Sequence, residues 1–135
     1  MSFSEDLTHL EAHLLERYGV NVVFGKDEFD AYYCDAQCIG ISTKHSKEIQ
    51  IFCLLHEAGH HIYRTERGIT GQAFDPKESF KTISKRVNVI SEEIHAWEHG
   101  LKLARQIGIE INIKKWERYS KKQIYDYIKW GVNGG

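Results

Sequence analysis

His56-Glu57-Ala58-Gly59-His60 is the run in this sequence with the clearest chemical meaning. On an α-helix, residues four apart share a face, so the two imidazoles can hold one metal ion between them. Glu57 then falls at the flank of that ion, where a carboxylate can take the proton of an attacking water while the metal polarises a carbonyl. The alternative for the same five residues is two surface histidines that happen to lie four apart. Their surroundings oppose it: Ile51-Phe52-Cys53-Leu54-Leu55 leads into His56, so both histidines continue a core-facing stripe. Gly59 points the same way, because glycine costs about 1 kcal/mol relative to alanine inside a helix and marks a place where another backbone comes close.

Two imidazoles leave a tetrahedral zinc site short of a third protein ligand, with the fourth position open to water. The metzincin arrangement wants Gly and His seven and ten residues after the first histidine, then a methionine turn. Tyr63 and Glu66 stand there, and Met1 is the sole methionine, which excludes that class. Cys34 and Cys38 lack the surroundings of the cysteine ligand in peptide deformylases. A downstream acid is the better source. In Val89-Ile-Ser-Glu92-Glu93-Ile-His95-Ala-Trp97-Glu-His99, Glu93 shares a helical face with Ile90, Ala96, Trp97, Gly100, Leu101 and Ala104. A carboxylate on an apolar face needs a partner, and zinc is one. Glu93 therefore leads. Glu92, read as facing the polar side with Asn88, His95 and His99, stays open as an alternative, as do His95 and His99 themselves.

The elements that must position these groups follow from periodicity. Leu7, Leu10, Leu14, Leu15 and Tyr18 predict a helix from Ser4 to Tyr18, with Ser2 or Ser4 as cap and Gly19 as stop. Three short β-branched or aromatic runs, 20–24, 30–34 and 38–42, predict strands, most simply joined as an antiparallel meander. A second helix spans Glu48 to Arg64. Asp75-Pro76-Lys-Glu78 is a good helix start, and from there to Ile107 one long helix or two shorter ones would fit. Lys114 to Trp130 closes the chain as an amphipathic helix. No repeat, linker or low-complexity tract interrupts, so residues 1–135 read as a single domain.

That order of elements, with HEAGH at 56–60 and Glu93-Ile-His-Ala-Trp97 downstream, resembles the small gluzincin metallopeptidases, among them ImmA/IrrE-type and phage-type enzymes. The resemblance implies an α+β, zincin-like fold: an N-terminal helix, a three-stranded antiparallel sheet, the HExxH helix, a Glu-bearing helix and a C-terminal helix. It also implies zinc held by His56, His60 and Glu93, with Glu57 as general base. Trp97 departs from the family, where Asp or Asn is common, so a hydrogen bond from that position to a metal-binding histidine is missing. In such folds the last strand, here Cys38–Ser42, lies along the cleft as the edge that pairs with an extended substrate, and Gly40 would admit the second chain. A plain buried strand is the alternative.

Composition bounds the rest. With 41% hydrophobic residues and one proline in 135, the chain can bury a single core. Lys+Arg at 18 against Asp+Glu at 19 excludes a strongly basic nucleic-acid binder and an acidic disordered tail. Six Lys/Arg against two acids from Ile111 onward leave a mildly basic C-terminal segment. Its aromatics recur at helical spacing, which favours packing over base stacking. No signal peptide or apolar span is visible, and three cysteines suit a reducing compartment. The expected protein is a cytoplasmic zinc metallopeptidase acting on a protein or peptide, without membrane or nucleic-acid partners. A zinc-stapled binding protein and a nucleic-acid module are the competing classes. A pairing of Cys34 and Cys38 with His45 is a weak second metal site, and His9, His13, His45 and His61 read as surface residues. Tyr63, His95, His99 and the C-terminal tyrosines are all open as oxyanion donors. The sequence leaves the oligomeric state undetermined.

Overall fold

Ser2 begins the first helix with a reciprocal cap: its hydroxyl accepts the Glu5 amide while the Glu5 carboxylate accepts the Ser2 amide. Helix α1 spans Phe3–Tyr18 and buries Leu7, Leu10 and Leu14. The computed structural model describes residues 2–70 and 82–133. Strands β1 (Asn21–Gly25), β2 (Ala31–Tyr33) and β3 (Cys38–Ser42) follow, then helices α2 (Lys47–Arg67), α3 (Ile83–Ile107) and α4 (Ile113–Val132). The architecture of the described residues is α+β, four helices and a small three-stranded mixed sheet. None of these helices is long and apolar enough to cross a membrane. The helix start read at Asp75-Pro76 lies outside the described residues, and from Ile83 a single helix carries through Gly100.

The sheet corrects the meander. Its strand order is β1-β3-β2, with β1 parallel and β2 antiparallel to β3. The reason lies in what each strand can bury. Ile39 and Ile41 are both fully buried and Gly40 between them is covered too, so β3 is covered on both faces and takes the centre. Three-residue β2, with Tyr33 exposed, suits an edge. The assignment of Cys38–Ser42 as the edge along the cleft is corrected with it: β2 occupies that position. Gly40 admits no second chain, since a Cβ there would meet Glu28 Oε2 at 2.8 Å and the Phe29 carbonyl at 2.9 Å. The β1–β2 connection already fills the space.

Helices α2 and α3 lie against each other through two glycines. A Cβ on Gly59 would fall 1.9 Å from the Ala96 carbonyl oxygen, and one on Gly100 would fall 2.6 Å from the Leu55 carbonyl oxygen. Both obstacles are backbone and cannot rotate aside. Gly59→Ala is therefore expected to force the two helices apart and cost about 3 kcal/mol or more. An unchanged thermal midpoint would show that this contact is looser than the geometry requires.

Candidate metal centre

The close approach of α2 and α3 sets His56 and His60 on one side and Glu92 and Glu93 on the other. His56 Nε2 lies 2.8 Å from Glu93 Oε2, and His60 Nε2 lies 3.0 Å from Glu93 Oε1. One carboxylate thus receives the same ring nitrogen from both histidines. His56, Glu57 and His60 also offer ligand atoms within 4.8 Å of one another. The two acids are nevertheless placed differently. Glu57 meets His56 at its other nitrogen, Nδ1, at 3.3 Å, so Glu93 sits where the Nε2 lone pairs converge and Glu57 stands beside them.

Burial by itself would lower the two imidazole pKa values and raise that of Glu93. The facing charges reverse it. Both histidines titrate above the ordinary value, His60 well above it, and the two imidazoles hold Glu93 far below the usual carboxylate range. The facing carboxylates favour protons on both rings. A dication replaces those protons with its own charge, so the donor set fits a divalent metal. His56, His60 and Glu93 are the residues that would hold it.

Glu92 is a correction. Read as facing the polar side of its helix, it is 7% exposed and accepts a hydrogen bond from His60 Nδ1 at 2.6 Å. Its other oxygen accepts one from Arg64 at 2.9 Å. Arg64, one turn after His60 on the same face, was the legible signal: a cation on a core-facing stripe calls for an acid. With Nδ1–H directed at Glu92, the Nε2 of His60 is the nitrogen left to bind metal, and the ring cannot turn. Glu92→Gln is expected to weaken metal binding by about 10- to 100-fold with the fold retained, read by competition with a chromophoric chelator. Unchanged affinity would mean that His60 is oriented by other contacts.

Trp97 supports the other histidine by packing. Its ring stacks on His56 with centroids 4.1 Å apart and planes 9° from parallel. Trp116 and Tyr119 of α4 meet Trp97 in turn, at 5.1 Å and 5.9 Å. The aromatic C-terminal helix thus braces the site, as its helical spacing suggested.

Above these groups opens a cleft of about 560 Å³, lined by 30–36, His56, Glu57, His60, Glu93, Trp97 and, from α4, Tyr119, Gln123 and Tyr127. Of the open oxyanion donors, Tyr63, His95 and His99 lie elsewhere: Tyr63 packs on both histidines, and His95 Nδ1 donates to the Ser91 carbonyl. Neither His95 nor His99 lines the cleft shared by His56, His60 and Glu93, which sets both aside as ligands of that site. Tyr127 does line the cleft. Burial first, then the charges of Glu93, Glu57 and Glu92, push its phenol pKa upward, so it remains a donor. His61 and His45 also depart from a surface reading. His61 is 5% exposed and its Nδ1 is hydrogen-bonded to the Tyr32 hydroxyl at 2.8 Å, while His45 pairs with Asp30. No protein-family model matches the chain, and neither does any curated protein or solved structure.

Proposed function

We propose that this protein is a zinc-dependent metallopeptidase of the minimal gluzincin type, zincin-like in fold, hydrolysing a specific cytoplasmic protein or peptide. The observation that carries the reading is a buried carboxylate, Glu93, bridging Nε2 of both HEAGH histidines at the floor of an open cleft, with Glu57 beside them. Bound there by His56, His60 and Glu93, zinc supplies Lewis acidity and makes water a stronger acid.

The chain's own groups account for the remaining requirements. Glu57 accepts a proton from the water that attacks the scissile carbonyl and returns it to the departing amine. Tyr127 donates a hydrogen bond to the oxygen on which charge develops. The edge of β2 turned away from β3 has no strand partner among the described residues, and residues 30–36 border the cleft. An extended substrate can add to that edge through backbone hydrogen bonds. The cytoplasmic placement rests on Cys34, Cys38 and Cys53, all free thiols.

Tyr127→Phe is expected to lower kcat by about 100- to 1,000-fold at unchanged zinc content. A variant with full turnover would remove Tyr127 from the chemistry. The reading as a whole is tested by incubating zinc-loaded protein with a diverse peptide mixture in heavy-oxygen water. New carboxyl termini carrying the heavy label are expected, and they should be absent after chelation. Cleavage that survives complete metal removal would overturn it. A zinc-stapled binding protein would instead close its site with a fourth protein ligand and leave every peptide intact.

A further inference from the structure

A second cluster of metal-ligating side chains lies on the wall of the same cleft, apart from the HEAGH histidines. Asp30 precedes β2, His45 lies just before α2, and Cys53 is in α2, one turn ahead of His56. Their ligand atoms all fall within 4.8 Å of one another. Asp30 is held in place: Oδ1 accepts the Ser42 amide at 2.9 Å and Oδ2 faces His45 Nε2 at 2.6 Å. His45 is held through its backbone, whose carbonyl accepts the Gln50 side-chain amide at 2.8 Å. Asp30 and Cys53 both line the cleft, and the Tyr119 hydroxyl lies 3.5 Å from Cys53 Sγ.

We propose that Asp30, His45 and Cys53 form a second site, for a borderline-soft divalent transition metal such as zinc or cobalt(II). One sulfur, one imidazole nitrogen and one carboxylate oxygen select such ions over calcium or magnesium, which take oxygen ligands. Charge agrees with the assignment. Cys53 is a buried free thiol whose sulfur carries its proton into the site. On binding, the metal displaces that proton to solvent, the metal–sulfur bond forms, and two ligand anions balance the two positive charges. The predicted partners of His45 are thereby corrected: Asp30 and Cys53 gather around it, not Cys34 and Cys38. The site stands independently of the zinc assigned to His56, His60 and Glu93.

Sulfur distinguishes the two sites, because the HEAGH site has none. Metal-free full-length protein is titrated with cobalt(II), following the near-ultraviolet sulfur-to-cobalt charge-transfer band. The wild type is expected to show the band at saturation, and Cys53→Ser to lose it while still binding cobalt at the other site. His45→Ala and Asp30→Asn, at part-exposed positions, should each weaken the sulfur-linked step by about 10-fold or more. Circular dichroism of the unloaded variants confirms that they are folded. Cys34→Ser and Cys38→Ser should keep the band. A wild type without the band at saturating cobalt overturns the proposal, and so does a band that survives in Cys53→Ser.

Discussion

Glu57→Gln is expected to leave zinc content and thermal midpoint nearly unchanged while hydrolysis falls by about 100-fold or more. The amide matches the carboxylate in shape but cannot accept the proton of water. Glu57 meets His56 at Nδ1 rather than at Nε2, where the metal-binding lone pairs converge, so its loss removes no ligand. Glu93→Gln should behave in the opposite sense. It removes the anion between the two Nε2 atoms, so zinc affinity should fall, and stability with it, because metal binding is linked to folding. Metal analysis, thermal unfolding and peptide turnover of the two variants separate the roles. Equal zinc loss in both would show that they are misassigned.

His60→Ala carries the second large effect. The imidazole joins two buried acids, donating from Nδ1 to Glu92 and lying 3.0 Å from Glu93 through Nε2. Truncating it should empty the HEAGH site of zinc and leave Glu92 and Glu93 short of a partner. Removing one member of such a buried pair costs about 3–5 kcal/mol. The metal-free wild type is the reference that isolates this term from lost metal binding. The variant should therefore unfold at a lower temperature than metal-free wild type, and zinc should not restore it. Full zinc content at that site would contradict the assignment.

Local signals carried much of this architecture. The Ser2 cap, the Gly19 stop and 3.6-residue periodicity placed α1, α2 and α4 within a few residues, and Gly59 announced the close approach that the Ala96 carbonyl makes. His56, Glu57, His60 and Glu93 were legible because each lies on a helix whose face is fixed by apolar neighbours. The sheet order was not. Strand pairing depends on which strand is covered on both sides, and β3 is covered by α2 on one face and by the β1–β2 connection on the other, neither of which its own residues announce. Asp30 carried no local mark, and Glu92, His45 and Tyr127 were legible as candidates without their roles for a related reason: their partners are long-range. Arg64 was the local hint for Glu92, and Tyr127 stands out from the other open donors only because α4 borders the cleft.

X-ray absorption at the zinc edge, on Cys53→Ser protein loaded with one equivalent, tests the central claim most directly. That background removes the proposed second site. Two imidazole nitrogens at about 2.0–2.1 Å, oxygen ligands at about 2.0–2.2 Å from Glu93 and water, and no sulfur are the expected result. A sulfur scatterer at about 2.3 Å, or a third imidazole in place of the open position, would contradict it.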